Sequence, residues 1–417
     1  MTATLQGRNL ASTELDSHGQ GRVCAKPLVG VFDLFTGKGG VQSVMGTLLP
    51  RLTTHYDIVA FNPYRNEAYA KRLAGSNVVM DPLVSHAPLT PYVGGTSRLD
   101  RVVRLAMRSP WMLSVAWSLR RWVVQHKPDL VYFNYLPLAT HFSRAIPVGS
   151  TKLVFHSHGH RSADEITEAS LRQLDRRFDQ VIAVSEITKH FLCEAGVRED
   201  QVEVIYNSVD LEGIRAQATS WPEDVPRYDE QTLVFSQVGA YSRKKGQHIS
   251  IEAFCRLPQR HRSTLWLCGD VLAGGDRSYA QSLREMAANS DVAERIHFLG
   301  WREDVPQVLQ ASDVVLMPST TDCESFGLAL CEAMSLEKPV IGSTRGGVPE
   351  VIGQSEAGMI VEPNAASLVV AMEKLAEDDL LRQRMGRQGH LRVVNRFTPE
   401  IQVEKVRLLI DRVLRAK

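Results

Sequence analysis

No run of about 18 consecutive apolar residues occurs anywhere in the chain, so it lacks a helix of the kind that spans a bilayer. The first two dozen residues carry Ser12, Glu14, Asp16 and Gln20 where an export signal needs an unbroken apolar segment. The expected location is therefore the cytoplasm. An excess of one charge is also missing: 48 Lys and Arg meet 47 Asp and Glu, a net charge of +1. Such a balance creates no overall field, which argues against nucleic acid as a partner. The six cysteines (Cys24, Cys193, Cys255, Cys268, Cys323, Cys331) form no C-x-x-C pair and show no zinc or disulfide spacing, so they read as reduced thiols. No D-x-D pair is present either, so the sequence requires no divalent metal at a diphosphate, and no cofactor is expected.

What the chain does have is 44% apolar against 23% charged residues over 417 positions, the balance of a water-soluble globular protein. At roughly 150 residues per domain this length holds about two or three domains, with two the working number. From about residue 27, short β-rich runs alternate with helical patterns, as in parallel sheets wrapped by helices. Strands are predicted at Leu28 to Phe32, Asp57 to Phe61, Leu130 to Phe133, Lys152 to His156, Val181 to Val184 and Val202 to Ile205. Helical stretches such as Val41 to Arg51 and Ile187 to Ala195 lie between them. Asp210 to Thr232 then turns polar and irregular, with Pro222 and Pro226, and reads as a linker. A second series follows at Leu233 to Val238, Thr264 to Cys268, Arg295 to Leu299, Val314 to Met317, Pro339 to Ile341 and Met359 to Val361. The expected organisation is a tail (1–26), an α/β domain (27–209), a linker (210–231), a second α/β domain (232–397) and a final helix (398–417). Thr398 suits the cap of that helix and Pro399 its first turn, and the helix is expected to fold back across the domain junction.

The most informative stretch runs from Ala311 to Glu350 as strand, Ser/Thr-rich loop, helix, strand and glycine pair. Ser325 and its polar neighbours are placed to cap a helix beginning near Phe326 and Gly327, whose first amides have no partners inside the helix. Such a terminus attracts an anion, and a phosphate there gains about 0.3 to 1 kcal/mol from the dipole beyond direct N–H contacts. Glu324 and Glu332, eight residues apart, would stand about 12 Å apart along a regular helix. One carboxylate can then flank each end of a diphosphate. The plainer reading makes Glu324 a favourable acid near a helix start and Glu332 a solvated helix residue.

Other segments fit the same chemistry. Gly239 to Gly246 follows a strand, opens a helix and carries Arg243, Lys244 and Lys245, a loop suited to phosphate or simply to solvent. Gly37-Lys38-Gly39-Gly40 lets a ligand approach the backbone after the first strand. It is not a dinucleotide fingerprint, because the third glycine of G-x-G-x-x-G falls on Gln42, and it is not a Walker loop, because Gly39 stands where Ser or Thr is needed. His156, His158 and His160 alternate, so a strand would put all three on one face; no acid or cysteine at ligand spacing accompanies them as a metal set.

With these motifs in hand, the chain resembles the family-4 glycosyltransferases, retaining enzymes of GT-B fold, over nearly its whole length. Glu324-Ser325-Phe326-Gly327 with Glu332-Ala333-Met334 is similar to that family's E-x7-E motif, and Gly346-Gly347-Val348-Pro349-Glu350 to its glycine segment. The resemblance implies an α/β protein of two Rossmann-like domains facing a cleft. It implies that Glu324 contacts the donor sugar, Glu332 the ribose, and the backbone of Phe326, Gly327 and Leu328, beside Ser325, the diphosphate. Lys245 matches the phosphate-binding lysine, whereas Ala240 stands where the family usually has arginine, leaving Arg243 or Lys244 to compensate. Gly39 and Gly40 match the loop that meets donor phosphate and acceptor, and His158 the strand-end histidine near the donor sugar. Ser185-Glu186 and Asn207-Ser208 also fall at family positions, with Asn207 retained as a donor contact; helix capping and linker geometry explain these four as well.

The expected partners are a nucleotide-diphosphate sugar, read as UDP-linked hexose or N-acetylhexosamine, and an acceptor hydroxyl on a small metabolite, lipid-linked sugar or polysaccharide. A non-catalytic nucleotide-sugar-binding protein and a nicotinamide-dependent oxidoreductase are the alternatives. Arg98, Arg101, Arg104, Arg108, Arg120 and Arg121 surround Trp111, Met112, Leu113, Val115 and Trp117. This segment, 98–122, reads either as the core face of a helix or as a peripheral contact with the inner face of a membrane.

Overall fold

The computed structural model describes residues 11–15, 21–32, 39–87, 98–159, 168–229, 231–258, 261–272, 275–322, 324–353 and 356–416. Gly37, Lys38, His160 and Cys323 of the sequence reading lie outside these residues. Among the described residues, β1 (Ala11–Leu15) and β2 (Gly21–Ala25) pair antiparallel within the segment read as a tail. The first large sheet contains β3 (Leu28–Phe32), β4 (Asp57–Phe61), β5 (Val79–Asp81), β6 (Leu130–Phe133), β7 (Lys152–Ser157), β8 (Gln180–Ala183) and β9 (Val202–Val204). These seven strands are parallel, in the order β5-β4-β3-β6-β7-β8-β9. The second contains β10 (Leu233–Val238), β11 (Ser263–Cys268), β12 (Ile296–Gly300), β13 (Val314–Met317), β14 (Val340–Ser343) and β15 (Met359–Val361). It too is parallel, in the order β12-β11-β10-β13-β14-β15.

Parallel strands covered on both faces need continuous apolar runs, and β3, β4, β6 and β13 have them. In the first sheet Phe32 pairs with Phe61 on one side and Phe133 on the other, their ring centroids 5.8 and 5.7 Å away. β5 escapes the sequence reading because three residues, with Val79 exposed, carry no periodicity. The irregular linker is also corrected at its start: Leu211–Gln217 is a helix, its Asp210 side chain accepting from the Gly213 amide and Ile214 buried beneath it.

The basic segment is the long helix Arg98–His126, which supplies a core face as one of its two readings expected. Trp111, Val115, Leu119, Trp122 and Val123 enter the core of the first sheet, whereas Leu113 and Trp117 point outward, 71% and 62% exposed. The last helix, Pro399–Arg415, begins with Thr398 accepting from the Ile401 amide. It packs on the first sheet: Val406, Leu409, Ile410 and Val413 share a cluster with Val29, Val31, Leu48 and Tyr56. Each side chain fully buried there contributes about 1.5 to 3 kcal/mol. Tyr56 donates to Asp411 at 2.7 Å, satisfying the one polar atom it brings to the interface.

Both sheets reverse strand order at their middle, between β3 and β6 and between β10 and β13. The carboxyl ends of strands at such a reversal form a crevice that no connection crosses, where ligands of doubly wound sheets settle. The loops after β10 and β13 emerge there, as does the start of the helix Gly40–Leu52.

Candidate active site

The loop after β13 turns into helix Leu328–Ser335 through Gly327, whose φ of 96° is left-handed and so suits glycine. This corrects the expectation for Ser325. The helix starts two residues later than predicted, no side chain caps it, and the Ser325 hydroxyl donates instead to the His158 carbonyl at 2.6 Å. Glu324 therefore lies in the loop rather than on the helix, and the regular-helix spacing to Glu332 does not apply. Phe326 is buried against Tyr206 and Phe397, so only its backbone can meet a ligand.

Helix Gly40–Leu52, from the other sheet, also starts without a side-chain cap, at Gly39. A Cβ on Gly40 would sit 3.2 Å from Leu328 Cδ2, so the two uncapped helix starts meet across the cleft. Their free amides and dipoles both favour negative charge at that point. Beside them the buried Glu324 carboxylate pairs with the Lys245 ammonium.

The Lys245 loop is held by groups the sequence reading passed over. Gln237, buried in β10, donates to the Lys245 carbonyl at 2.7 Å and accepts from Ser250 at 2.8 Å. Gln247, equally buried, donates to the Ala240 carbonyl at 3.0 Å. The Thr320 amide donates to the Lys244 carbonyl at 2.9 Å, tying this loop to the one after β13. Gly246 is left-handed at 72° and passes so close that a Cβ there would lie 2.1 Å from the Pro318 carbonyl oxygen. Gln237 and its neighbour Ser236 are both polar in β10, and nothing in the sequence marked the first of them as a brace. The guanidinium of Arg243 stacks over Tyr279 at 5.2 Å.

The glycine pair presses on the Glu324 segment from below. A Cβ on Gly346 would meet the Glu324 oxygen at 2.2 Å, and the Gly347 amide donates to that oxygen at 2.7 Å. Glu332, half-buried on helix Leu328–Ser335, has its carboxyl pushed up to about 7 by burial, with Arg72 of the first unit opposing the shift. Sequence reasoning had no signal for Arg72, which is distant in the chain.

His158 follows β7, and its ring lies 3.9 Å from that of His156, centroid to centroid. Burial lowers the His158 pKa to about 3, with the Asn207 side chain opposing, so the imidazole is neutral at ordinary pH. Among the described residues, neither His158 ring nitrogen nor Asn207 Oδ1 has a hydrogen-bond partner, and all three are enclosed. Buried polar atoms of this kind usually find a partner. His156 is held neutral by burial as well, its Nδ1 2.7 Å from the Tyr132 hydroxyl, which removes that nitrogen from any metal set. Ser185 caps helix Glu186–Glu194 by accepting from the Thr188 amide at 3.2 Å, and Ser208 donates to Gln402 at 2.7 Å.

Two family descriptions match this chain: Glycosyl transferases group 1 over residues 220–392, and Glycosyltransferase Family 4 over residues 38–212. The chain belongs to the family-4 glycosyltransferases. Among its relatives, a GDP-mannose-dependent alpha-(1-6)-phosphatidylinositol monomannoside mannosyltransferase of Mycobacterium tuberculosis is 26% identical over 84% of this chain and 89% of its own. An N-acetyl-alpha-D-glucosaminyl L-malate synthase of Bacillus anthracis is 24% identical over 73% of this chain and 80% of its own. The crystal structure of Anabaena HepE in complex with UDP and glucose superimposes with a TM-score of 0.75 at 21% identity, over 93% of this chain and all of that one. This glycosyltransferase thus has the GT-B arrangement of two parallel α/β sheets. Among its described residues no helix is long and apolar enough to cross a membrane.

Proposed function

We propose that this glycosyltransferase moves a hexosyl group from a nucleoside-diphosphate sugar to an acceptor hydroxyl with retention of configuration. The observation that supports it most is the meeting of two uncapped helix starts, Gly40 and Leu328, beside the Lys245–Glu324 pair. A diphosphate takes the free amides of Gly327 and Leu328 and draws the Lys245 ammonium from Glu324. The released carboxylate then accepts from the donor sugar hydroxyls, and Glu332 from the ribose. As the anomeric C–O bond to phosphate breaks, charge grows on the leaving oxygen where Lys245 and the amides already point. A preorganised donor of this kind is typically worth about 10² to 10³ in rate. The acceptor oxygen bonds to the anomeric carbon and its proton passes to the leaving phosphate. His158, neutral and unpartnered, offers the donor sugar a hydrogen bond, with Asn207 behind it.

Relatives that use GDP-mannose and a structural neighbour that holds UDP frame the test of the base and sugar. UDP- and GDP-linked glucose, mannose and N-acetylglucosamine are each incubated with the enzyme, and the anomeric product is followed by proton NMR. Release of the α-sugar from an α-linked donor is expected; initial release of the β-sugar, or no turnover of any donor, overturns the reading.

The outward face of helix Arg98–His126 supports peripheral contact with an anionic membrane and, among the acceptors, a lipid-linked one. Leu113, Trp117 and Val124 are exposed along it with Arg120 and Arg121 between them, and its sequence holds six arginines against one aspartate. Apolar side chains flanked by cations suit the headgroup boundary. Sedimentation with phosphatidylglycerol vesicles but not phosphatidylcholine vesicles, lost in Trp117→Ser, is the expected result.

A further inference from the structure

We propose that Glu350 is a positioning residue that seats the first unit on the donor loop of the second. This inference rests on reading the cleft as a site of glycosyl transfer. Glu350 lies on the short helix Val348–Ile352, which follows β14 and the glycine pair. Its carboxylate reaches the other unit and accepts from two consecutive backbone amides, Glu186 at 2.8 Å and Ile187 at 3.0 Å. Those amides open helix Glu186–Glu194, and the third, Thr188, is already taken by Ser185. A helix start in the first unit is therefore capped jointly by its own serine and by a carboxylate from the second. The placement of charge matches the dipole, and hydrogen bonds to an ionised acceptor are about twice as strong as neutral ones.

The contact is wired to the chemistry by backbone packing. Gly347, three residues before Glu350, donates to the Glu324 carbonyl at 2.7 Å, and a Cβ on Gly347 would lie 2.4 Å from the Ser325 oxygen. No slack exists there for the short helix to shift without moving Glu324. Arg392 grips the same helix from behind, donating to the Glu350 and Val351 carbonyls at 2.7 and 2.6 Å. The hydroxyl of Tyr206, on the connection between the units, lies beside the Glu350 carboxylate, and its pKa is pushed up to about 12 by burial first and by Glu350 second. The Ser325 hydroxyl on the His158 carbonyl is a second strut in parallel. Together the two struts set Glu324 of one unit against His158 of the other.

The test uses the full chain with Glu350→Ala and the near-isosteric Glu350→Gln, which can accept only one of the two amides. In Glu350→Ala, amide exchange in a peptide spanning residues 185–190 is expected to rise at least about tenfold, the range of a lost charge-assisted bond. With the preferred donor, kcat should fall about 10- to 100-fold while Kd for the free nucleoside diphosphate changes less than about threefold, because the nucleotide contacts lie in the second unit. Glu350→Gln should fall between Ala and wild type in both readouts. Unchanged exchange, kcat within twofold of wild type, or Kd rising in step with the loss of kcat would each overturn the proposal; the last would mark a residue that only shapes the donor pocket. Exchange is measured without substrate, so failure of every donor to turn over would sink the transfer reading separately.

Discussion

The two faces of the cleft are built by opposite means. On the side of the second unit, the loops after β10, β13 and β14 are locked to one another by Gln237, Gln247, Thr320 and the Gly346-Gly347 pair, so Lys245 and Glu324 stand on a rigid base. On the other side, among the described residues, Gly39 has no atom within 4 Å of where a Cβ would project, and His158 and Asn207 keep enclosed polar atoms without partners. The first face is braced loop against loop, whereas the second is tied down by fewer such contacts. Stabilising a departing charge needs groups that do not reorganise.

The strongest way to break this contrast is to remove the fixed charges. Glu324→Ala and Lys245→Ala should each lower transfer by about 10²-fold or more while the melting temperature stays within a few degrees. Wild-type turnover in either purified variant would show that the rigid side does not carry the chemistry.

A milder probe compares glycines. Gly246→Ala places a Cβ against the Pro318 oxygen at a left-handed φ, and should cost about 1 to 3 kcal/mol in denaturant unfolding along with donor affinity. Gly39→Ala, with an extended φ of 177° and open space, should leave stability within about 0.5 kcal/mol. Equal losses at the two positions would erase the distinction between the faces.

The smallest effects are expected from pH, with opposite signs on the two sides. The Glu332 carboxyl is raised from 4.5 to about 7, so between those values the folded state holds more protons than the unfolded one. Its contribution to stability is therefore lost as pH rises through 7, and Glu332→Gln should gain in melting temperature at pH 8 relative to pH 5. His158 is lowered from 6.5 to about 3, so the unfolded state holds more protons below 6.5 and stability is lost on acidification. His158→Asn should blunt that acid loss, and thermal melts across pH 4.5 to 8 in both variants would show whether either slope is absent.

Much of this architecture could be read before the structure, and the exceptions have physical reasons. β3, β4, β6, β10, β13 and β15 match the predicted strands to the residue, and for β3, β6 and β13 the reason is that parallel strands buried on both faces are apolar runs. The family motifs, being local, pointed to Glu324, Lys245 and the glycine pair. The braces were not legible: a glutamine that serves a carbonyl eight residues away has the same appearance as one in solvent. Ser325 misled because serine before a helix usually caps it, whereas here Gly327 holds the cap position, the first amides stay uncapped and the Ser325 hydroxyl crosses the cleft to the His158 carbonyl. Glu350 and Arg72 gain their neighbours only when the two sheets face each other.

The polypeptide passes between its halves twice, once just before the Asp210 helix and again at Phe397. The two passages are laced together, the Val209 amide on the Phe397 carbonyl at 3.0 Å and Ser208 on Gln402. Two crossings tied to each other resist the swivelling that a single thread would permit, and that restraint keeps His158 and Glu324 in alignment.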